Sequence, residues 1–217
     1  MSAPSALTVV VLAGGRSRRM GRDKALLPVG NERLLERVVR RVAQAGPVLV
    51  VTRRAEDYPF LTVPRVPDRY PDRGPLAGLY TGFSAARTPL VATVATDMPF
   101  ASPRLLRYLA DYLLAHPEVD VALPVDAHDI QPLHAVYRRE LARDAFARAL
   151  QGPRGAIRDA FAHLRVARLP AEQLRAALGP ECQPARAFWN VNTPEAYHAL
   201  LRWLQGDRTQ PTPWEEA

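Results

Sequence analysis

The chain has 217 residues, of which 47% are apolar and 24% charged, with a formal net charge of +7 at pH 7. That length buries a sizeable core in one α/β domain, while the longest wholly apolar run, residues 9–13, is far too short to span a bilayer and excludes a helical membrane protein. The positive balance points to anionic partners, and a single cysteine, Cys182, excludes an internal disulfide and a cysteine-rich metal site.

The first element is Thr8-Val-Val-Val-Leu12, a β-branched run of the kind that forms a buried parallel strand. Ala13-Gly14-Gly15 follows at once, and two glycines there let the backbone turn sharply and bring its N–H groups against a ligand. Arg16, Arg18, Arg19, Arg22 and Lys24 then place five positive charges in nine residues against one acid, Asp23. That density suits a triphosphate or its pyrophosphate leaving group better than a phosphate monoester. The loop is neither a P-loop, since no Gly-Lys-Ser/Thr closes it, nor the Gly-x-Gly-x-x-Gly dinucleotide fingerprint. Lys24 is the only lysine among 29 basic side chains. Where arginine offers a broad planar fork, lysine offers a compact ammonium on a slim stem, which suits a phosphate pressed against backbone.

Leu34, Leu35, Val38, Val39 and Val42 recur at helical spacing, and Gly46-Pro47 ends that helix before a second strand at 48–51. Residues 53–73 read as loop with a short strand near Val63, followed by a helix over 75–86 and a strand over 90–95. Ser102 and Pro103 supply a cap and a first-turn proline for a helix through Leu114. Further strands are expected at 119–124 and 133–137, with helices near 139–150, 155–163 and 171–178 and a last helix from Thr193-Pro194-Glu195 to Leu204. Alternating strands and helices predict a single-domain three-layer α/β sandwich over 1–204, a mainly parallel Rossmann-like sheet with helices on both faces. Residues 205–217 read as a polar tail.

Asp97 falls where an apolar strand ends, at the edge where open α/β sheets bind ligands. A hard carboxylate there can hold Mg²⁺; a turn aspartate before Pro99 is the alternative. Asn190 and Asn192 alternate on one side of an extended segment, where they could meet phosphate or metal-bound water. Thr193-Pro194-Glu195 reads as a helix cap. His134 on an apolar strand reads as a structural residue.

Leu12-Ala-Gly-Gly-x-Ser-x-Arg-Met-Gly-x-Asp-Lys24 resembles the signature loop of nucleotidyltransferases with the nucleotide-diphospho-sugar transferase fold. Gly74-Pro-Leu-Ala-Gly78, Thr96-Asp-Met-Pro-Phe100, Gln131-Pro-Leu-His-Ala-Val-Tyr137 and Asn190-Val-Asn-Thr-Pro-Glu195 fit the same family in order, and the first and last of them narrow the resemblance to the molybdenum cofactor guanylyltransferases. The resemblance implies transfer of GMP from GTP to the terminal phosphate of molybdenum cofactor with release of pyrophosphate. It implies nucleotide contacts from Leu12, Ala13, Gly14, Gly15, Lys24, Asp68 and Asp97, catalytic roles for Arg19, Lys24 and Asp97, and Mg²⁺ on Asp97. It also implies an acceptor side at Asn190 and Asn192, which could meet the pterin, with an acceptor-side place as the alternative reading of His134. Asp68 matches the family aspartate of the nucleotide pocket, where a carboxylate can accept from guanine N1–H and the exocyclic amine; Asp72 is its competitor. One departure is Val51-Thr52-Arg53, where related enzymes often carry asparagine, and Thr52 is the substitute on hand.

The expected enzyme is cytoplasmic and monomeric, with transient cofactor-delivery proteins as partners and with neither membrane nor nucleic acid. A cytidylyl- or sugar-phosphate transferase of the same fold is the alternative enzyme. A basic RNA-binding module is the alternative of another class, disfavoured because aromatics are only 7% and none interleave with arginine at stacking positions.

Overall fold

The computed structural model describes residues 6–14, 23–126, 129–152, 155–179 and 183–207. Gly15, Arg16, Arg18, Arg19, Arg22 and Cys182 lie outside the described residues, as does the expected tail beyond Asp207. The chain begins with β1 (Leu7–Leu12), a hairpin of β2 (Pro28–Val29) and β3 (Glu32–Arg33), α1 (Leu34–Val42), β4 (Val48–Thr52) and β5 (Arg65–Pro67). Next come α2 (Pro75–Ala85), β6 (Leu90–Ala95), α3 (Pro103–Ala115), β7 (Val121–Asp126), β8 (Asp129–Ile130), β9 (His134–Arg138) and α4 (Arg139–Gln151). The last elements are α5 (Ile157–Ala160), β10 (Val166–Pro170), α6 (Ala171–Leu178), α7 (Pro184–Phe188) and α8 (Pro194–Leu204).

The main sheet runs β10-β7-β9-β6-β1-β4-β5, with β8 paired to β7. β1 pairs parallel with both β4 and β6, in register Val10 to Leu49 and Val10 to Thr93. Because successive strand residues point to opposite faces, β1, β4 and β6 feed two cores at once, which is why they read as continuous apolar runs. Val9, Val11, Val50 and Val94 meet Leu35 and Val38 of α1, Leu105 and Leu109 of α3 and Leu174 of α6. Val10, Leu49, Val51 and Val91 meet Leu76, Leu79 and Phe83 of α2 and Phe146 of α4. The three-layer arrangement expected from the sequence is the one observed.

A third core decides where the site closes. Leu27, Val29 and Leu34, around the hairpin, pack with Phe100, Trp189, Val191, Tyr197 and Leu200. This cluster draws the segment before α8 back against the start of the chain.

Several elements differ from the sequence reading. β9 is antiparallel to both β6 and β7, so the sheet is parallel in most but not all of its pairings. The short strand expected near Val63 is β5, two residues further on, and pairs parallel with β4. β10 lies at a sheet edge, where Arg168 and Pro170 dilute the apolar pattern that marks a central strand. The β2–β3 hairpin turns at Gly30-Asn31, with Gly30 at φ 63°, as a type II′ turn requires of its first central residue.

Candidate active site

The chain leaves β1 for β4 and β5 on one side, then crosses back to β6 on the other, and such a switch point opens a crevice at the carboxyl ends of the strands. Thr96 seals its floor: its N–H and its hydroxyl both donate to the Leu12 carbonyl, at 3.1 and 2.6 Å. The cleft has a volume of about 440 Å³, and Leu12, Ala13, Gly14, Lys24, Asp68, Asp72, Gly78, Asp97 and Leu133 are among its lining residues.

Asp23 caps the short 3-10 turn Lys24–Leu26 by accepting the Ala25 N–H at 3.0 Å. Held there, Lys24 Nζ donates to Asp97 Oδ2 at 3.0 Å and to Asn192 Oδ1 at 2.6 Å. The Lys24 and Asp97 side chains are only 18% and 19% exposed. Asn192 arrives because the neighbouring Val191 is buried in the third core and donates its N–H to the Asp97 carbonyl at 2.8 Å. Asp97 Oδ1 is buried and accepts no hydrogen bond among the described residues, an unsatisfied acceptor in the wall of a cleft.

Across the cleft, Asp68 follows β5, and its N–H donates to the Thr52 carbonyl at 2.7 Å. Its Oδ1 accepts from the Tyr70 N–H and the Thr81 hydroxyl, each at 3.0 Å. Asp72 also lines the cleft, in a left-handed conformation at φ 73°, and pairs with Arg53 at 3.2 Å. Thr52 does not fill the role suggested by its position. It is fully buried, and its hydroxyl donates to the Arg54 carbonyl at 2.7 Å.

Local geometry corrects two sequence expectations and decides between the two readings of a third residue. The Ala13 N–H is committed to the Val51 carbonyl at 2.8 Å, so among the first loop residues Ala13 lines the cleft without offering its amide. Asn190 does not share a face with Asn192: the Asn192 N–H bonds back to the Asn190 carbonyl at 3.1 Å, which bends the segment out of the extended form. The Asn190 amide donates instead to the Phe188 carbonyl at 2.6 Å. His134 is fully buried, its Nε2 accepts the Ser102 N–H at 2.9 Å at the start of α3, and burial lowers its pKa to about 4. It is a core residue.

Tyr58 was not legible in the sequence. Its hydroxyl stands 2.9 Å from the Ala13 carbonyl and 2.8 Å from Asp23 Oδ2, so one phenolic group contacts the end of β1 and the residue that caps the Lys24 turn. Burial, and then the adjacent Asp23 carboxylate, hold that phenol protonated well above its ordinary range.

A doubly wound sheet with a cleft at its switch point, lined by Lys24 and by the carboxylates of Asp68 and Asp97, has the form of a nucleotidyltransferase-like α/β fold. Comparison with known proteins is more specific. The MobA-like NTP transferase domain matches residues 9–169. A protein of Pelotomaculum thermopropionicum named "Probable molybdenum cofactor guanylyltransferase" is 37% identical over 188 residues, covering 86% of this chain and 88% of that protein. The "Molybdenum cofactor guanylyltransferase" of Rhizobium johnstonii is 35% identical over 208 residues, covering 92% and 93%. The crystal structure of molybdopterin-guanine dinucleotide biosynthesis protein A from Archaeoglobus fulgidus superimposes with a TM-score of 0.79 at 24% identity, over 92% of this chain and 99% of that one, which shows the shared fold. The chain therefore belongs to the MobA-like NTP transferase domain family, alongside the molybdenum cofactor guanylyltransferases. No helix among the described residues is long and apolar enough to cross a membrane.

Proposed function

We propose that the protein transfers GMP from GTP to the terminal phosphate of molybdenum cofactor, releasing pyrophosphate and giving the guanine dinucleotide form. The observation that carries this reading is the Lys24–Asp97–Asn192 cluster at the cleft, with Asp97 Oδ1 buried and without a hydrogen-bond donor among the described residues, beside the Lys24 ammonium. The names of the relatives support the choice of guanine and of acceptor.

In this reading the acceptor's phosphate oxygen bonds to the α-phosphorus of GTP as the bond to pyrophosphate breaks. A phosphate is already ionised near pH 7, so no strong general base is needed, in keeping with a His134 that is buried away in the core. Placement and charge neutralisation do most of the catalytic work. Lys24 would exchange part of its contact with Asp97 for phosphate oxygens, with Arg19 as a second cation. Gly14 and Leu12 border the phosphates, Asp68 contacts the nucleoside, and Asn192 marks the acceptor side.

Mg²⁺ is the metal implied, and Asp97 fits it through a hard, buried oxygen that no donor among the described residues satisfies. Among the described residues no cluster of three or more His, Cys, Asp or Glu side chains could hold a metal, which suits an ion that keeps its waters and shares substrate phosphate oxygens. When bound, it would neutralise phosphate charge and favour in-line displacement.

The test is to incubate the protein with labelled GTP, Mg²⁺ and molybdopterin or its molybdenum form, with CTP in parallel, and identify the product. Formation of a guanine dinucleotide with stoichiometric pyrophosphate is expected. A cytosine product in its place, or no product from a folded protein, overturns the reading.

A further inference from the structure

We propose that Thr81, which does not line the cleft, is a positioning residue of the nucleotide site: it holds the Asp68 carboxylate so that Oδ2 alone is offered to the nucleotide. The inference rests on the reading that this cleft takes a nucleoside triphosphate.

Thr81 lies on α2 and is 1% exposed. Its hydroxyl accepts the Arg69 N–H at 3.1 Å and donates to Asp68 Oδ1 at 3.0 Å, so both of its capacities are used within one turn of chain. The Tyr70 N–H gives Oδ1 a second donor at 3.0 Å. The Asp68 backbone is fixed separately through its N–H on the Thr52 carbonyl. Oδ1 is therefore saturated, while Oδ2 accepts no hydrogen bond among the described residues.

Space is kept for a ligand at Oδ2. Gly78 lies nearby on α2 and lines the cleft, and a Cβ there would stand 3.9 Å from Oδ2 and 3.2 Å from Leu12 Cδ2. The missing side chain keeps that oxygen accessible. A fork on guanine that uses both carboxylate oxygens would have to displace the Thr81 and Tyr70 donors. Asp68 reads the nucleotide at one oxygen, and Thr81 fixes which one.

A double-mutant cycle between Thr81 and Asp68 tests this, read by calorimetric GTP affinity and by the KM and kcat of pyrophosphate release. Thr81→Val is expected to raise the Kd and KM for GTP about 10-fold, the scale of one hydrogen bond to a charged group, with kcat changed less than about 2-fold. Thr81→Ser, which keeps the hydroxyl, should stay within about 2-fold of the wild type. In an Asp68→Ala background Thr81→Val should add no further loss. Wild-type GTP affinity in folded Thr81→Val, or an undiminished loss in the Asp68→Ala background, overturns the proposal. Should thermal melts show that the valine variant does not fold, the smaller Thr81→Ala carries the same cycle. A wild type that binds CTP instead of GTP sinks the substrate reading, and the cycle run with CTP still decides the role of Thr81.

Discussion

Lys24 Nζ lies 3.0 Å from Asp97 Oδ2, joining a turn that follows β1 to the residues that follow β6, with both side chains more than four-fifths buried. An ion pair this enclosed is sensitive to the shape of its cation as well as its charge.

Exchange of Lys24 for arginine should therefore be damaging. A guanidinium is broader than an ammonium and cannot occupy the same point between Asp97 and Asn192 without displacing one of them. Turnover of Lys24→Arg should approach that of Lys24→Ala. Crowding should also lower stability by about 1–3 kcal/mol, more than a surface charge exchange would. Initial rates of pyrophosphate release and a thermal melt make the measurement. A fully active arginine variant would show that the ammonium is not required.

Asp97→Asn keeps the size of the side chain and removes the charge that faces Lys24. Turnover should fall at least ~100-fold, the scale of losing one preorganised electrostatic contact. GTP affinity should fall far less, because the cationic loop remains. Near-normal turnover at saturating Mg²⁺ would sink the proposed metal role.

Gly82 on α2 sits directly against the sheet. A Cβ there would lie 2.5 Å from Val10 Cγ1 and 3.1 Å from Val51 Cγ2, both on buried strand residues. Alanine gains about 1 kcal/mol of helix propensity, but the strands cannot move apart freely, so Gly82→Ala should be net destabilising by about 1–3 kcal/mol. Gly78→Ala makes one tight contact, with Leu12 Cδ2 at 3.2 Å, while Val51 Cγ1 and Asp68 Oδ2 stand at 3.8 and 3.9 Å, so it should cost less. Urea unfolding separates the two, and a Gly82→Ala protein as stable as the parent would contradict the packing argument.

His134 makes stability depend on pH. Its pKa falls from 6.5 to about 4 on burial, so the folded state keeps it neutral where the unfolded chain takes up a proton. Its contribution is full above about pH 6.5 and is lost as pH falls toward about 4, by roughly 3 kcal/mol at most. His134→Gln retains an acceptor for the Ser102 N–H and removes the titration. Its stability should fall less steeply over that window in denaturant titrations at several pH values. An unchanged slope would show that another group carries the dependence.

Much of the fold was legible because its signals are local. The apolar runs that became β1, β4 and β6 and the heptad-like spacing of Leu34, Leu35, Val38, Val39 and Val42 both follow from near-neighbour periodicity. The Ser102 cap also reads correctly from adjacent residues, accepting the Leu105 N–H at 3.2 Å. β10 was missed because an edge strand need not be apolar, and α7 because five residues carry no helical period of their own.

The sequence by itself determined the layered α/β architecture, the loop that carries Lys24, and Lys24, Asp68, Asp97 and Asn192 as residues worth watching. Only the tertiary structure decided their partners, because hydrogen bonds between residues 73 and 168 positions apart leave no trace in local pattern. It turned Asn190 away through a backbone bond to Asn192, buried His134 beneath α3, and brought Tyr58 and Thr81 behind the site. Periodicity shows which face of an element is buried; what that face meets depends on how distant elements pack, and here the third core around Val191 settles it.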